Sequence, residues 1–151
     1  MWSAVLYGTS IGNSDIVQIA LSQVGNVGGM KYSKWYGLNY RAEWCAIFVS
    51  WVANEAGYGT DIIPKFAYVP AGINWFKERG LWKNAGFLPR AGDIIFFDWD
   101  LNGSGNHVGI VEKVENGIVY TIEGNSNDDM CRRKKYSINS KYILGYGTPN
   151  Y

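Results

Sequence analysis

The chain reads as an α+β domain, with helices in its N-terminal half packed on an antiparallel β-sheet formed by its C-terminal half. Two observations carry this. Up to Gly80, apolar residues recur at helical spacing: first Ile16, Ile19, Ala20 and Val24, then Cys45, Phe48, Val49, Val52, Ala53 and Ala56. From Gly92 onward, short β-branched or aromatic runs are separated by turn residues, which is the pattern of strands. The two patterns do not alternate, so a parallel βαβ arrangement is not expected.

Asn13 or Ser14 caps a first helix that begins near Asp15 and stops at Gly25. A glycine-rich passage then leads into an aromatic loop carrying Tyr32, Trp35, Tyr36 and Tyr40. The next helix holds Cys45 in its first turn and ends at Gly57, and a shorter one follows Pro70 through Ile73 and Phe76 to Gly80. Strands are expected over residues 93–99, 107–114, 118–123, 132–137 and 142–146.

Asn116-Gly117 between two of these strands suggests a two-residue turn. Carried along a regular ladder, that turn pairs Ile110 with Glu123 and mixes polar with apolar side chains on both faces. A three-residue loop of Glu115, Asn116 and Gly117 instead pairs Val114 with Ile118, Glu112 with Tyr120 and Ile110 with Ile122. It also sets Gly109 opposite Glu123 and His107 opposite Asn125. A slip of one residue exchanges the faces, so the cleaner segregation is expected, with a glycine bulge at Gly117.

Composition limits the function. The 151 residues carry 14 Lys+Arg against 13 Asp+Glu, with 47% hydrophobic and 18% charged residues, which suits one folded domain over residues 1–151 and excludes a disordered chain. The formal net charge of +1 lacks the positive excess of a general nucleic-acid binder. No run approaches the ~20 apolar residues of a membrane helix, so no membrane insertion is expected. Residues 1–8 lack the basic start of a secretory signal, so export is not written in this chain. Two cysteines and one histidine make neither a disulfide framework nor a zinc set; no metal and no cofactor is assigned.

The expected register puts the only imidazole, His107, on one sheet face with Glu123 and Asn125. A catalytic base needs such neighbours: one ring nitrogen takes the proton while a side-chain oxygen holds the other N–H. Glu123 would also stabilise the imidazolium by charge. Cys45, at a helix N-terminus, is then the candidate nucleophile, because the helix dipole and an imidazolium both favour thiolate. The expected chemistry is acyl transfer, with the Cys45 backbone N–H as one oxyanion donor and Asn39 or Tyr40, by spacing, as a second. Each residue also has a structural explanation: a lone cysteine on an apolar helix as core, a lone histidine or a strand-end Glu or Asn as ordinary sheet residues. Cys131, in the basic run 131–135, has no second histidine to serve it and is read as non-catalytic, the run itself as a solvated strand edge. Seven Trp and eleven Tyr are a surplus for this size; Trp35, Trp44 and Trp99 are candidates to line a substrate groove.

Glu43-Trp44-Cys45-Ala46-Ile47-Phe48-Val49-Ser50-Trp51, Ala91-Gly92-Asp93-Ile94-Ile95-Phe96-Phe97, Asn106-His107-Val108-Gly109-Ile110-Val111 and Glu123-Gly124-Asn125 resemble, in this order, the blocks of a CHAP domain. These are cysteine, histidine-dependent amidohydrolases/peptidases of bacterial and phage cell-wall hydrolases. The resemblance implies a papain-like α+β fold and cleavage of peptidoglycan, at the muramoyl-L-alanine amide or within the stem or cross-bridge peptide. It makes Cys45 the nucleophile, His107 the base, and Glu123 and Asn125 its orienting partners. NlpC-like endopeptidases share parts of the pattern but usually carry a second histidine where this chain has Glu123. The calcium-binding acidic loop of some CHAP enzymes precedes the cysteine; residues 32–43 hold only Glu43, so calcium is not carried over. The resemblance further implies an enzyme acting outside the cell or at the wall, as a phage endolysin or an excised domain, monomeric or part of a larger chain. The alternatives are an inactive domain that binds wall glycopeptide through its aromatics, or an amidase of a small cytosolic amide.

Overall fold

The computed structural model describes residues 12–126 and 129–151; residues 1–8, on which the expectation about export rests, lie outside them. Asn13 starts the first helix as expected: its Oδ1 accepts from the backbone N–H groups of Asp15 and Ile16, two donors the helix itself cannot satisfy. The helices are α1 (Ser14–Leu21), α2 (Met30–Tyr36), α3 (Cys45–Glu55) and α4 (Val69–Glu78). The strands are β1 (Trp82–Asn84), β2 (Ile94–Phe97), β3 (His107–Glu115), β4 (Ile118–Ser126), β5 (Met130–Ser137) and β6 (Ile143–Gly147). They form one antiparallel sheet in the order β1-β6-β2-β3-β4-β5. No helix among the described residues is long and apolar enough to cross a membrane.

α3 is apolar on nearly every side, and nine of its eleven residues are buried, so it occupies the centre of the helical layer. It packs on β3 and β4, with α1 and α2 against its other sides. Gly124 in β4 permits the contact: a Cβ there would lie 2.7 Å from Phe48 Cβ and 2.9 Å from the Trp44 ring. The helix that begins with Cys45 therefore rests directly on the strand that carries Glu123 and Asn125. The far sheet face has its own apolar cluster of Ile95, Phe97, Val111, Val119, Ile143 and Tyr146. β2 is thus covered on both sides, which explains its unbroken Ile-Ile-Phe-Phe sequence.

Three local expectations need correction. Tyr32, Trp35 and Tyr36 of the aromatic loop lie in the helix α2, bracketed by Gly29 and Gly37 in left-handed conformations, and Tyr40 follows it outside any helix. Tertiary packing stabilises α2: Tyr32 stacks on Trp44 at 5.2 Å and meets Phe48 and Trp51 edge-on. β1 was not expected; three largely exposed residues carry no alternation to read. In the β3–β4 hairpin the three-residue loop is replaced by a two-residue turn, with Asn116 at φ 53° and Gly117 at φ 76°, pairing Glu115 with Ile118 and Lys113 with Tyr120. That turn matches the strand twist best. A bulge at Glu112 then shifts the ladder by one, so Ile110 does face Ile122. The expected register is reached at the site end through a bulge in the strand rather than a longer loop.

Candidate active site

Cys45 is the first residue of α3, preceded by Trp44 with no side-chain cap, and is 7% exposed. Its thiol sits at the start of the helix, where the first backbone N–H groups lack intrahelical partners. His107 opens β3 and is buried. Its Nε2 lies 2.8 Å from Glu123 Oε1. Nδ1 is the nitrogen left for the side-chain hydrogen bond to Cys45. Burial acts to lower the His107 pKa, but the Cys45 bond and the Glu123 carboxylate outweigh it and push it up to about 9.

Glu123 is fully buried and fully engaged. Its second oxygen, Oε2, accepts from Thr121 Oγ1 at 2.5 Å and from the Tyr136 hydroxyl at 2.7 Å. Burial would raise its pKa; the His107 pairing, then Thr121 and Tyr136, hold it below the usual glutamate value. Gly109 makes room, since a Cβ there would come within 2.7 Å of Glu123 Cγ. Neither Thr121 nor Tyr136 was singled out in the sequence. Thr121, two residues before Glu123 on the same strand face, was legible by alternation; Tyr136 becomes so only once β5 is paired to β4.

Asn125 departs from the expectation that it faces His107. The β4–β5 ladder is irregular between Glu123 and Ser126, and Asn125 has φ 54°, which takes its side chain out of simple alternation. Its Nδ2 donates to Glu43 (3.1 Å), and its Oδ1 accepts from Arg41 (2.9 Å). Arg41 also pairs with Glu43 at 2.7 Å and with Asp129, which in turn accepts from the Trp44 indole N–H at 2.7 Å. Asn125 therefore belongs to a polar network that ties the segment before Cys45 to the β4–β5 connection.

Cys45 and His107 open onto a cleft of about 890 Å³, lined by Tyr68, Val69 and Pro70 and by Trp99, Tyr136 and Tyr142. Of the three tryptophans expected to line it, Trp99 does: it is 38% exposed, stacks on Phe97 at 4.7 Å, and lies 5.9 Å from the His107 ring. Trp44 does not, being wholly buried in the core against Tyr32. Trp35 is half-buried outside the cleft, with the Lys65 ammonium 4.6 Å from its ring. Asn39 and Tyr40 are exposed and do not line the cleft. The basic run lies on β5 at the sheet edge, where Arg133 binds Glu112 through two bonds and Lys134 reaches the cleft. Cys131 is completely buried away from this wall.

A thiol, an imidazole and a buried carboxylate in series can carry nucleophilic catalysis. No curated protein sequence matches the chain. Among solved structures it is similar to Ly7917, with 21% identity and a TM-score of 0.58, the match covering 90% of this chain and 62% of that one. The structure of Ly7917 with the hydrolyzing product of MDP matches at 20% identity and a TM-score of 0.58 over the same shares. This chain thus spans less than two thirds of Ly7917. A protein of the NLP/P60 family from Staphylococcus aureus, described as similar to lipoprotein, matches at 18% identity and a TM-score of 0.46, covering 91% of this chain and 42% of that one. The papain-like α+β fold is the one expected. The CHAP domain model matches residues 35–125, more than half of the chain, and that span contains Cys45, His107, Glu123 and Asn125. The chain belongs to the CHAP domain family.

Proposed function

We propose that the chain is a cell-wall hydrolase that cleaves an amide bond of peptidoglycan through a thioester on Cys45. The observation that carries this is the series Cys45–His107–Glu123 at one wall of an open cleft. The Cys45 sulfur attacks the amide carbonyl carbon, and its proton resides on His107. The carbonyl oxygen takes the negative charge beside the Cys45 backbone N–H at the start of α3. His107 then gives the proton to the amide nitrogen, the C–N bond breaks, and the amine leaves. Water, deprotonated by His107, attacks the thioester and releases the carboxylic acid and the thiol. Glu123 stabilises the imidazolium at each stage and fixes the ring so that Nδ1 faces the sulfur. Asn125 acts on the rim, holding the segment before Cys45.

The cleft suits a glycopeptide: Trp99 and Tyr142 offer flat faces for sugar or peptide planes. Membership in the CHAP family and the Ly7917 complex with the hydrolyzing product of MDP support this substrate class. In this reading the enzyme works on the wall, outside the cytoplasm, as in an endolysin. The test is loss of turbidity of purified walls with wild type and Cys45→Ala. Undiminished lysis by Cys45→Ala ends the mechanism. Mass spectrometry of the products separates a muramoyl-L-alanine amidase from a stem or cross-bridge endopeptidase by the new amine they carry.

A further inference from the structure

The loop between β2 and β3 reads Asp98-Trp99-Asp100-Leu101-Asn102-Gly103-Ser104-Gly105-Asn106. This is the spacing of a calcium loop: oxygen side chains at the first, third and fifth places, glycine at the sixth for the sharp turn, a backbone carbonyl at the seventh. Gly103 has φ 87° and Leu101 φ 57°, so the chain folds back on itself at the fourth and sixth places. The Gly103 N–H donates to Asp98 Oδ2 at 2.7 Å, directing the carboxylate into the loop. Asn106, at the ninth place, donates to Asp100 Oδ2 at 3.1 Å and accepts from the Trp99 N–H at 3.0 Å.

Asp98 itself points to a ligand. It is 5% exposed, and its other oxygen, Oδ1, is buried with no hydrogen-bond partner. A buried carboxylate oxygen without a donor carries an uncompensated desolvation penalty, which a cation in the loop would remove. We infer that this loop binds a calcium ion through Asp98 Oδ1, the Asp100 carboxylate, the Asn102 amide oxygen and the Ser104 carbonyl. All the donors are hard oxygens, so neither zinc nor copper suits them. The irregular loop and its exposed residues 100–104 favour calcium, which accepts many ligands in flexible geometry, over magnesium, which demands a near-ideal octahedron.

The twelfth place falls at Gly109, where a bidentate glutamate is usual, and Gly109 is required there to clear Glu123. With two carboxylates and no such glutamate, the affinity falls in the weak extracellular range, a Kd of about 10⁻⁴–10⁻³ M. The ion would fix Trp99, which lies between two of its ligands and walls the cleft, and the segment that leads into His107. The inference rests on the loop's own residues and not on the hydrolase reading, so its test is a binding measurement.

Thermal unfolding of the full chain in 10 mM CaCl₂ against EGTA is expected to raise Tm by about 3 °C or more, with a smaller rise in MgCl₂. Asp100 is exposed, so Asp100→Asn leaves the fold intact and should cancel most of that rise; Asp98→Asn should do the same. Terbium luminescence excited through tryptophan gives a second readout: emission that calcium displaces in wild type, about tenfold weaker terbium affinity in Asp100→Asn, and lost sensitisation in Trp99→Phe, which keeps its calcium-dependent Tm. No calcium-dependent rise in wild type, or an equal rise in Asp100→Asn, overturns the site.

Discussion

Cys45 and Cys131 are both buried, yet their surroundings give them opposite chemistry. Cys45 begins a helix, opens onto the cleft and meets an imidazole. Cys131 sits at the start of β5 with 0% exposure, its backbone paired with Gly25 and Asn26, and its thiol is pushed up to about 12 by burial first and by Glu123 second. Glu123 thus acts on both thiols. Through His107 it stabilises a cation beside Cys45; toward Cys131 its own negative charge opposes ionisation. The basic neighbours of Cys131 do not reverse this, and Arg133 is engaged by Glu112. What distinguishes a nucleophile from a core cysteine here is the charge interposed between thiol and carboxylate.

The largest test of that contrast exchanges the two thiols' fates. Cys45→Ala should lower wall lysis by at least about 10³-fold, the loss expected for a missing nucleophile. Cys131→Ala should leave the rate within about twofold and cost about 1 kcal/mol of stability, a fall in Tm of roughly 2–4 °C from the small cavity it creates. Iodoacetamide on the native protein should add one adduct, located at Cys45 by peptide mapping. Comparable labelling of native Cys131 would break the comparison.

Glu123→Gln comes next. It keeps the shape of the side chain and removes the charge that helps hold the His107 pKa up to about 9. The alkaline limb of kcat/KM should move from near pH 9 toward the ordinary histidine range, with kcat about 10²-fold lower. Stability follows the same group. The folded pKa is above the ordinary 6.5, so protonated His107 contributes stability that is complete below about pH 6.5 and lost as pH rises through about 9. Wild-type Tm should therefore decline across that window, and Glu123→Gln should flatten the decline. A smaller effect, about tenfold in kcat, is expected for Gly109→Ala, whose methyl would displace Glu123 without removing its charge. Its alkaline limb should also fall, while iodoacetamide still spares Cys131.

These residues also show where sequence was sufficient. The helix of Cys45 is legible from its long apolar run ended by Gly57, and the strand of His107 from a β-branched run closed by Asn116-Gly117. The pairing of His107 with Glu123 was legible because a one-residue slip would have turned Glu123 to the wrong face. The turn differs from the expected loop because two rules conflict, and the protein satisfies both with a bulge at Glu112. Asn125 and Trp44 were misplaced for a common reason. The orientation of Asn125 depends on the β4–β5 irregularity, and that of Trp44 on α2, an element recognisable only from its packing. Trp99 was placed well because its neighbours in sequence are also its neighbours at the site.

The finest test lies on β5, the strand of Cys131. The Tyr136 hydroxyl is one of two side-chain donors to Glu123 Oε2, and its ring packs on Phe97 at 4.9 Å and near Trp99 at 5.9 Å. Tyr136→Phe removes the donor and keeps the ring. Thr121 still holds Oε2, and Glu123 keeps its charge, so kcat should drop only a few-fold with KM unchanged. Tyr136→Leu also removes the support of Trp99 and should raise KM in addition. If Tyr136→Phe instead costs as much as Glu123→Gln, the hydroxyl and not the carboxylate sets the charge on His107. The contrast between the two cysteines would then rest on a hydrogen bond rather than on an ion.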